Sequence, residues 1–453
     1  MQPNKAACGW TLWDLLAADQ DVLVLILQSL CPKGRALFAC TCTSARSFAS
    51  HLFFLQNLCF DGCAEFTDVG LKEAVLRSTR HGVPITALST SRCRKLRWES
   101  LFAVLPQERL KRLDIADSAL CGSTDDRLPA CSSLGLEALA ASLGRQPQLE
   151  ILVLRGNCIG GNKSGNSPEA FWALGRAILE SASLRHVDLS KNNMCLEDAH
   201  AFLQGGGLRG ALQSLDLSGN MLNGQGIFDV DFSAVVALTA ALALGGPLEA
   251  LNLCHTNMDG EATCQLAAAV LQHPTLRDFC SIPMTGLRSG AVTELRLAGA
   301  GIGVAGVFVL SELLPLGALA VLQLSDNGIG GCMSSYEALE ALGRAIGASR
   351  TLEVVDLSQN SMQAPDVQAL VSGGVAKGAK LCTLNLLRNA LGHEGRGILL
   401  GALRRSCEAF TSVCGIPRGV THVDLSCQHL EPEDAKLLAE ELMLHPVPSI
   451  NLS

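Results

Sequence analysis

The chain is short of the residues that usually anchor tight interfaces. Aromatic side chains make up 4% of its 453 residues, with a single tyrosine. Hot spots of protein recognition favour Trp, Tyr and Arg, so no aromatic-lined groove is expected. Cations are also in deficit: 35 Lys and Arg face 43 Asp and Glu, a formal net charge of −8. That balance excludes nucleic acid as the expected partner, because phosphate recognition needs clustered Lys and Arg. An acidic chain suits a basic-surfaced protein target. A long apolar run is missing too. The longest, Phe232–Leu244, is interrupted by Ser233 and Thr239, while a helix crossing a bilayer needs about twenty apolar residues. Residues 22–30 are too short for that, and the opening MQPNKAACGW lacks the layout of a signal peptide. No membrane partner is expected. The nineteen cysteines are then expected to be reduced thiols in an intracellular protein, cytoplasmic or nuclear.

What the chain has in abundance is one spacing, leucine-x-x-leucine-x-leucine. It recurs as Leu149–Leu152–Leu154, Leu184–Val187–Leu189, Leu212–Leu215–Leu217 and Leu248–Leu251–Leu253. It continues as Val292–Leu295–Leu297, Leu319–Leu322–Leu324, Leu352–Val355–Leu357, Leu381–Leu384–Leu386 and Val420–Val423–Leu425, with an earlier copy at Leu110–Leu113–Ile115. A fixed period of this length predicts stacked units that share one continuous core. Within each unit the alternate leucines of a short strand point one way. Three residues beyond the last strand leucine stands Asn157, Asn192, Asn220, Asn327, Asn360 or Asn389. An amide there can bond the backbone of the bend and of its neighbour. Elsewhere Ser118, Thr256, Ala300 and Gln428 take that place. Segments with apolar residues at three- and four-residue steps follow, as in 169–184, 262–276 and 433–446, and predict helices.

The motif LxxLxLxxNxI/L followed by ALGRAI-type helices resembles the ribonuclease-inhibitor class of leucine-rich repeat over most of residues 105–453. The resemblance implies an α/β solenoid: a right-handed horseshoe with a parallel inner sheet and outer helices, here with a small helical N-terminal segment. A second period lies on top of the first. LEILVLRGNCIGG (149–161) matches LAVLQLSDNGIGG (319–331), LRHVDLSKNNM (184–194) matches LEVVDLSQNSM (352–362), and LRDFCSIP (276–283) echoes FTSVCGIP (410–417). A multi-repeat block has been duplicated. The closing VPSINLS opens one more strand, whose edge is a place where a second chain could pair.

Residues 1–50 lack the repeat. Asp21-Val22, Ile26-Leu27, Leu30, Pro32 and Cys42 resemble an F-box, although its opening Leu-Pro is replaced by Ala18-Asp19 and its later Leu pair by Arg35-Ala36. The resemblance implies that Val22, Ile26, Leu27, Leu30 and Pro32 dock a Skp-type adaptor of a cullin ubiquitin ligase. The alternative is a helical cap over the first repeat. Residues 51–104 read as degenerate cysteine-type repeats, with Cys63 at the asparagine position and Thr67-Asp68-Val69-Gly70-Leu71 opening a helix. The ribonuclease-inhibitor-type array then occupies 105–453.

Candidate recognition residues flank the strand leucines: Asp114, Asp188, Asp216, Asp356 and Asp424, joined by Asn252, Asn385, Arg296 and, before one strand, Arg185. Stacking puts them in columns about 5 Å apart, an acidic stripe on the concave face for a basic target. Other constellations read as structure. Gly156, Gly161, Lys163 and Ser164 miss the phosphate-loop spacing by one residue, Asn162. Among Cys40, Cys42, Cys59 and Cys63, Cys40-x-Cys42 is too tight for a zinc pair and Cys63 already serves its repeat, and no histidine sits in a catalytic signature. No cofactor or metal is expected, and no enzymatic activity. The sequence thus points to an intracellular protein-binding repeat array, a ligase substrate receptor. The alternatives are a non-ligase scaffold or inhibitor of ribonuclease-inhibitor type and a GTPase-activating repeat protein.

Overall fold

A computed structural model describes residues 57–452, apart from 64–67, 81–83, 95, 99–101, 103–104, 106–108, 119, 121–132, 161–167, 223–231, 257, 259–261, 378–379, 407–409 and 418. Val22, Ile26, Leu27, Leu30 and Pro32 therefore lie outside the described residues. The chain divides into two compact units, residues 1–192 and 193–453.

The first unit carries β1 (Asn57–Cys59), β2 (Ala87–Ser89), β3 (Arg112–Asp114), β4 (Ile151–Val153) and β5 (His186–Asp188), with helices α1 (Asp68–Arg80), α2 (Leu134–Leu143) and α3 (Pro168–Glu180) between them. Its strands lie parallel in chain order, and each central residue faces the next: Leu58, Leu88, Leu113, Leu152 and Val187. All five are buried, and the residues on either side of them are half-buried or exposed. The expected alternation is thus present, with one row turned toward the helices and two rows left on the open face of the sheet.

In the second unit the same alternation runs through α4 (Leu196–Gly205), β6 (Ser214–Asp216), α5 (Ser233–Ala243), β7 (Ala250–Asn252) and α6 (Thr263–Gln272). After an interruption it resumes with β10 (Glu294–Arg296), α8 (Gly303–Leu313), β11 (Val321–Gln323), α9 (Met333–Ala348), β12 (Val354–Asp356), α10 (Ala364–Gly373), β13 (Thr383–Asn385) and α11 (Gly392–Arg405). After a second interruption come β14 (His422–Asp424), α12 (Pro432–Leu444) and β15 (Ser449–Asn451). The closing segment does form a strand, paired in parallel with β14.

Both interruptions fall where the sequence repeats its echo. At the first, β8 (Asp278–Phe279) and β9 (Ile282–Pro283) form an antiparallel pair, followed by a short helix, α7 (Met284–Arg288). Cys280 and Ser281 between them have φ of 52° and 64°; two left-handed residues in succession are the backbone of a tight hairpin turn. At the second, Ser412 pairs parallel with Thr383, and Cys414 pairs antiparallel with Asn385. Gly415, φ 76°, takes the bend there, since a Cβ would come within 2.9 Å of the Asn385 side chain. Glu441 of α12 holds this reversal: its buried carboxylate accepts Ser412 Oγ at 2.7 Å, Val413 N at 2.8 Å and Cys414 N at 2.9 Å.

The helices are equally duplicated. Ala170, Phe171, Leu174 and Ile178 are buried in α3, and Ala338, Leu339, Leu342 and Ile346 at matching steps in α9. The glycine of the LGRAI motif permits close helix packing: a Cβ on Gly343 would meet the Leu370 carbonyl of α10 at 2.2 Å. Helices α4, α10 and α12 open on a buried aspartate that caps its own first turn. Asp198 accepts Cys195 N, Asp366 accepts Gln363 N and Asp434 accepts Glu431 N, at 3.0, 2.8 and 2.8 Å. Asp366 also reaches back to Gly331 N at 3.0 Å and Asp434 to Arg388 N at 2.5 Å, so each fastens the bend of the preceding repeat.

The asparagines behave as their spacing predicts. Asn157, Asn192, Asn220, Asn327, Asn360 and Asn389 are all buried. Asn360 donates to Leu324 O at 2.8 Å and Leu357 O at 3.0 Å, and its Oδ1 accepts Asn327 N at 2.8 Å. Asn389 in turn accepts Asn360 N at 2.9 Å and Met362 N at 3.0 Å. In the first unit Asn192 accepts Asn157 N at 2.7 Å.

Truncating the core and cutting the ladder should both be expensive. Leu215→Ala should cost about 2–5 kcal/mol by opening a cavity. Asn360→Ala should cost about 2–4 kcal/mol, since it strands one N–H and two carbonyls out of reach of water. Denaturant unfolding checks both, and an Asn360→Ala midpoint equal to that of the unaltered protein would contradict the ladder.

Candidate functional site

The open face of the sheet carries the expected recognition residues, and the register shows which of them meet. In the first unit Asp114 faces Val153, which faces Asp188. In the second, Asp216 faces Asn252, and Arg296, Gln323, Asp356 and Asn385 follow one another across four strands. Asp424 faces Asn451. The columns exist, but the acidic stripe is interrupted by apolar and amide side chains.

The carboxylates are also already engaged. Asp188 accepts Ser190 N at 2.9 Å and Ser190 Oγ at 2.6 Å. Asp356 makes the same pair with Ser358 at 3.0 and 2.7 Å. Asp216 accepts Ser218 N at 2.8 Å and Asn252 Nδ2 at 3.0 Å. Asp114 accepts Ser91 Oγ and an Arg112 guanidinium nitrogen, both at 2.9 Å. Asp424 accepts Ser426 N at 2.9 Å and Asn451 Nδ2 at 3.2 Å. Hydrogen bonds from Ser426, with smaller contributions from Asn451 and from His422, lower the Asp424 carboxyl below the usual aspartate value. The side chains of Asn252 and Asn385 serve the same turn through Cys254 N at 3.1 Å and Leu387 N at 3.2 Å. Arg296 is exposed and bridges Glu294 at 2.8 Å and Gln323 at 3.2 Å. Arg185 lies before β5 and donates to Ala182 O at 3.1 Å. The Asp-Leu-Ser tripeptide is therefore a local clamp that turns the chain out of β5, β6, β12 and β14. The serine two places on, which supplies the N–H and often the O–H, is the signal that the spacing argument overlooked.

One repeat was less legible. Leu88, Thr90 and Cys93 keep the spacing of Leu58, Phe60 and Cys63. Cys93 Sγ donates to Phe60 O at 3.1 Å, the bond to the preceding repeat that asparagine makes elsewhere. Cysteine does this work with a weaker donor.

Chemistry of other kinds finds little support among the described residues. Burial raises the Cys93 and Cys195 thiols to about 12, the direction that suppresses the reactive thiolate. A hydrogen bond from Cys280 lowers Cys254, and burial raises Cys280. No group of three or more His, Cys, Asp or Glu among the described residues could hold a metal ion. Cys40 and Cys42 lie outside them, as do Gly161, Lys163 and Ser164 of the glycine-rich loop. A cleft of about 230 Å³ opens beside the first hairpin, lined by His255, Cys280, Ile302 and Asn327 among others. Its buried polar groups are spoken for: Thr256 Oγ1 donates to Leu253 O at 2.5 Å, and Asn327 belongs to the ladder. No helix among the described residues is long and apolar enough to cross a membrane.

The strand–helix alternation with parallel pairing defines an α/β repeat solenoid of leucine-rich-repeat type. No family model matches the chain, and no curated protein matches it. Among solved structures it is similar to the complex of Rad7 and Elc1 from yeast, at 16% identity and a TM-score of 0.40, covering 89% of this chain and 93% of that one. It is also similar to the leucine-rich repeat-containing protein LegL7 of Legionella pneumophila, at 15% identity and a TM-score of 0.30, covering 77% and 95%.

Removing one clamp should be mild compared with emptying the core. Asp216→Ala should cost about 1 kcal/mol, the usual worth of one or two partly exposed hydrogen bonds. A second outcome concerns protonation. The Asp424 carboxyl is depressed, so its contribution to stability is full above the unfolded-state value and fades as pH falls through the lower folded one. Its titration by NMR should lie below 3.8 and move up toward that value in Ser426→Ala; no movement would contradict the clamp.

Proposed function

We propose that this chain is a protein-binding repeat array that serves as the substrate receptor of a cullin-type ubiquitin ligase. The observation that carries the binding role is the open sheet face. Within each unit, β1–β5 in the first and β6, β7 and β10–β13 in the second, the strands bury their central residue and leave most flanking residues half-buried or exposed on the open face. Such a surface suits an extended contact with a macromolecule better than the enclosure of a small substrate. The ligase role rests on the sequence order: F-box-like segment, cysteine-type repeat, long array. The middle member of that order is consistent with the geometry, since β1 leads to Cys63 and α1 starts at Asp68. In this reading Val22, Ile26, Leu27, Leu30 and Pro32 hold the Skp-type adaptor, and the sheet face with its neighbouring bends holds the target.

The full-length protein should bind a Skp-type adaptor in a purified pull-down, and a version lacking residues 1–50 should not. Absence of binding by the intact chain would remove the ligase role. Partner capture that survives the deletion unchanged would leave a scaffold or inhibitor.

A further inference from the structure

The internal duplication acts as a control on what the fold needs. Residues 149–161 and 184–194 have counterparts at 319–331 and 352–362, and their backbones make the same bonds. Gly156 N donates to Ser190 O at 3.0 Å, as Asp326 N does to Ser358 O at 3.0 Å. Gly160 N donates to Asn192 O at 2.9 Å, as Gly330 N does to Asn360 O at 3.0 Å. Side chains that differ between two such copies are not demanded by the packing. On the sheet face and the adjoining bends most charge differences run one way, with Glu150 against Ala320 as the exception. Arg155, Arg185, His186 and Lys191 stand in the first copy where Ser325, Glu353, Val354 and Gln359 stand in the second.

The first copy therefore has a cationic rim on a chain of net charge −8. Arg155, His186 and Lys191 are exposed, and Arg185 is half-buried. Arg155 and Lys191 enter no ion pair among the described residues. The acidic groups nearby have partners of their own: Glu150 has Lys111 at 3.1 Å, Asp114 has Arg112 at 2.9 Å, Asp188 has Ser190, and Asp117, on the bend beside Arg155, has Arg92 at 4.0 Å. Between the cations lie Ile151 and Val153, half-buried on the open face, with Ile151 in register with His186 and Val153 with Asp188. Lys191 is held in a left-handed conformation, φ 55°, by the bend that Asn192 organises through Leu189 O and Leu154 O, so its position is fixed by the fold.

We infer that the face of β4 and β5 is a docking surface for an acidic, extended protein segment, with Arg155, Arg185 and Lys191 facing its carboxylates and Ile151 and Val153 seating one apolar side chain. This deepens the protein-binding reading above and rests on it. It also reverses the expected polarity of that part of the surface, where an acidic stripe for a basic target was the sequence-based expectation. Charge complementarity selects the occupant: Arg155 and Lys191, outside any ion pair among the described residues, favour an anionic strand beside Arg185, and the apolar pair favours a polypeptide over a purely anionic polymer.

The test uses the full-length protein and a fluorescein-labelled peptide, Asp-Glu-Asp-Leu-Glu-Asp-Glu, followed by fluorescence anisotropy at 50 and 300 mM salt. The variant Arg155→Ser/Arg185→Glu/Lys191→Gln installs the second copy's residues, so its melting temperature should stay unchanged. The unaltered chain should bind the peptide with an affinity that falls at high salt. The triple variant should lose at least tenfold, and a peptide with Lys at every acidic position should not bind. Equal peptide binding by chain and variant would overturn the inference. So would stronger binding of a single-stranded oligonucleotide of matched charge, or no binding of the acidic peptide at 50 mM salt. Failure here with adaptor binding intact would leave the ligase reading standing, and loss of adaptor binding alone would leave this surface standing.

Discussion

A parallel repeat must leave each strand through a bend, and a bend stacked against its neighbours has backbone groups that water cannot reach. In six of this chain's turns a buried asparagine answers that demand. Its amide donates to carbonyls of its own turn and of the preceding one, and its oxygen accepts an N–H of the preceding bend. The contact is local in sequence on one side and 25 to 42 residues distant on the other. It thereby fixes both the end of a strand and the pitch at which the next one arrives. An unsatisfied buried peptide group costs about 1–3 kcal/mol, so a stack without this ladder could not be held by leucine burial alone.

The ladder also accounts for what varies. Where a repeat contracts, to a hairpin at 278–283 and to a chain reversal at 412–416, no asparagine is present. His255 N donates to Gly301 O at 2.8 Å across the first, and Glu441 replaces the missing amide with a carboxylate at the second. Once bends and core are secured, the open face is released from structural duty. The two copies of the duplicated block have used that freedom differently: Arg155, Arg185 and Lys191 on one face, Ser325, Glu353 and Gln359 on the other.

Much of this was legible in the sequence. The leucine spacing located the strands, because burial alternates with period two wherever one face is covered. The asparagines were legible for the same reason, their position being set by the bend. The echo of LRDFCSIP in FTSVCGIP marked the interruptions, but a hairpin cannot be told from a degenerate strand by hydrophobicity alone. Cys280 and Ser281 are left-handed without being glycine, and nothing in their identity announces it. The acidic column carries a second role that its spacing did not show. Asp188, Asp216, Asp356 and Asp424 do face away from the core, but their partner is the serine two residues later, a contact that a column-by-column reading of the surface passes over. The cationic face emerged only when register put Arg155 and Lys191 on adjoining bends. The glycine-rich loop at 161–167 and the F-box-like segment lie outside the described residues.

The measurement that bears most directly on the ladder is amide hydrogen exchange in the intact protein. The backbone N–H groups of Asn157, Asn327, Asn360 and Met362, each donated to an asparagine oxygen rather than to another backbone group, should exchange as slowly as the central strand amides of Leu152 and Leu322. In Asn389→Ala the amides of Asn360 and Met362 should lose protection before that of Leu322 does. Exchange of these four amides at the rate of exposed loop residues in the unaltered chain would contradict the account.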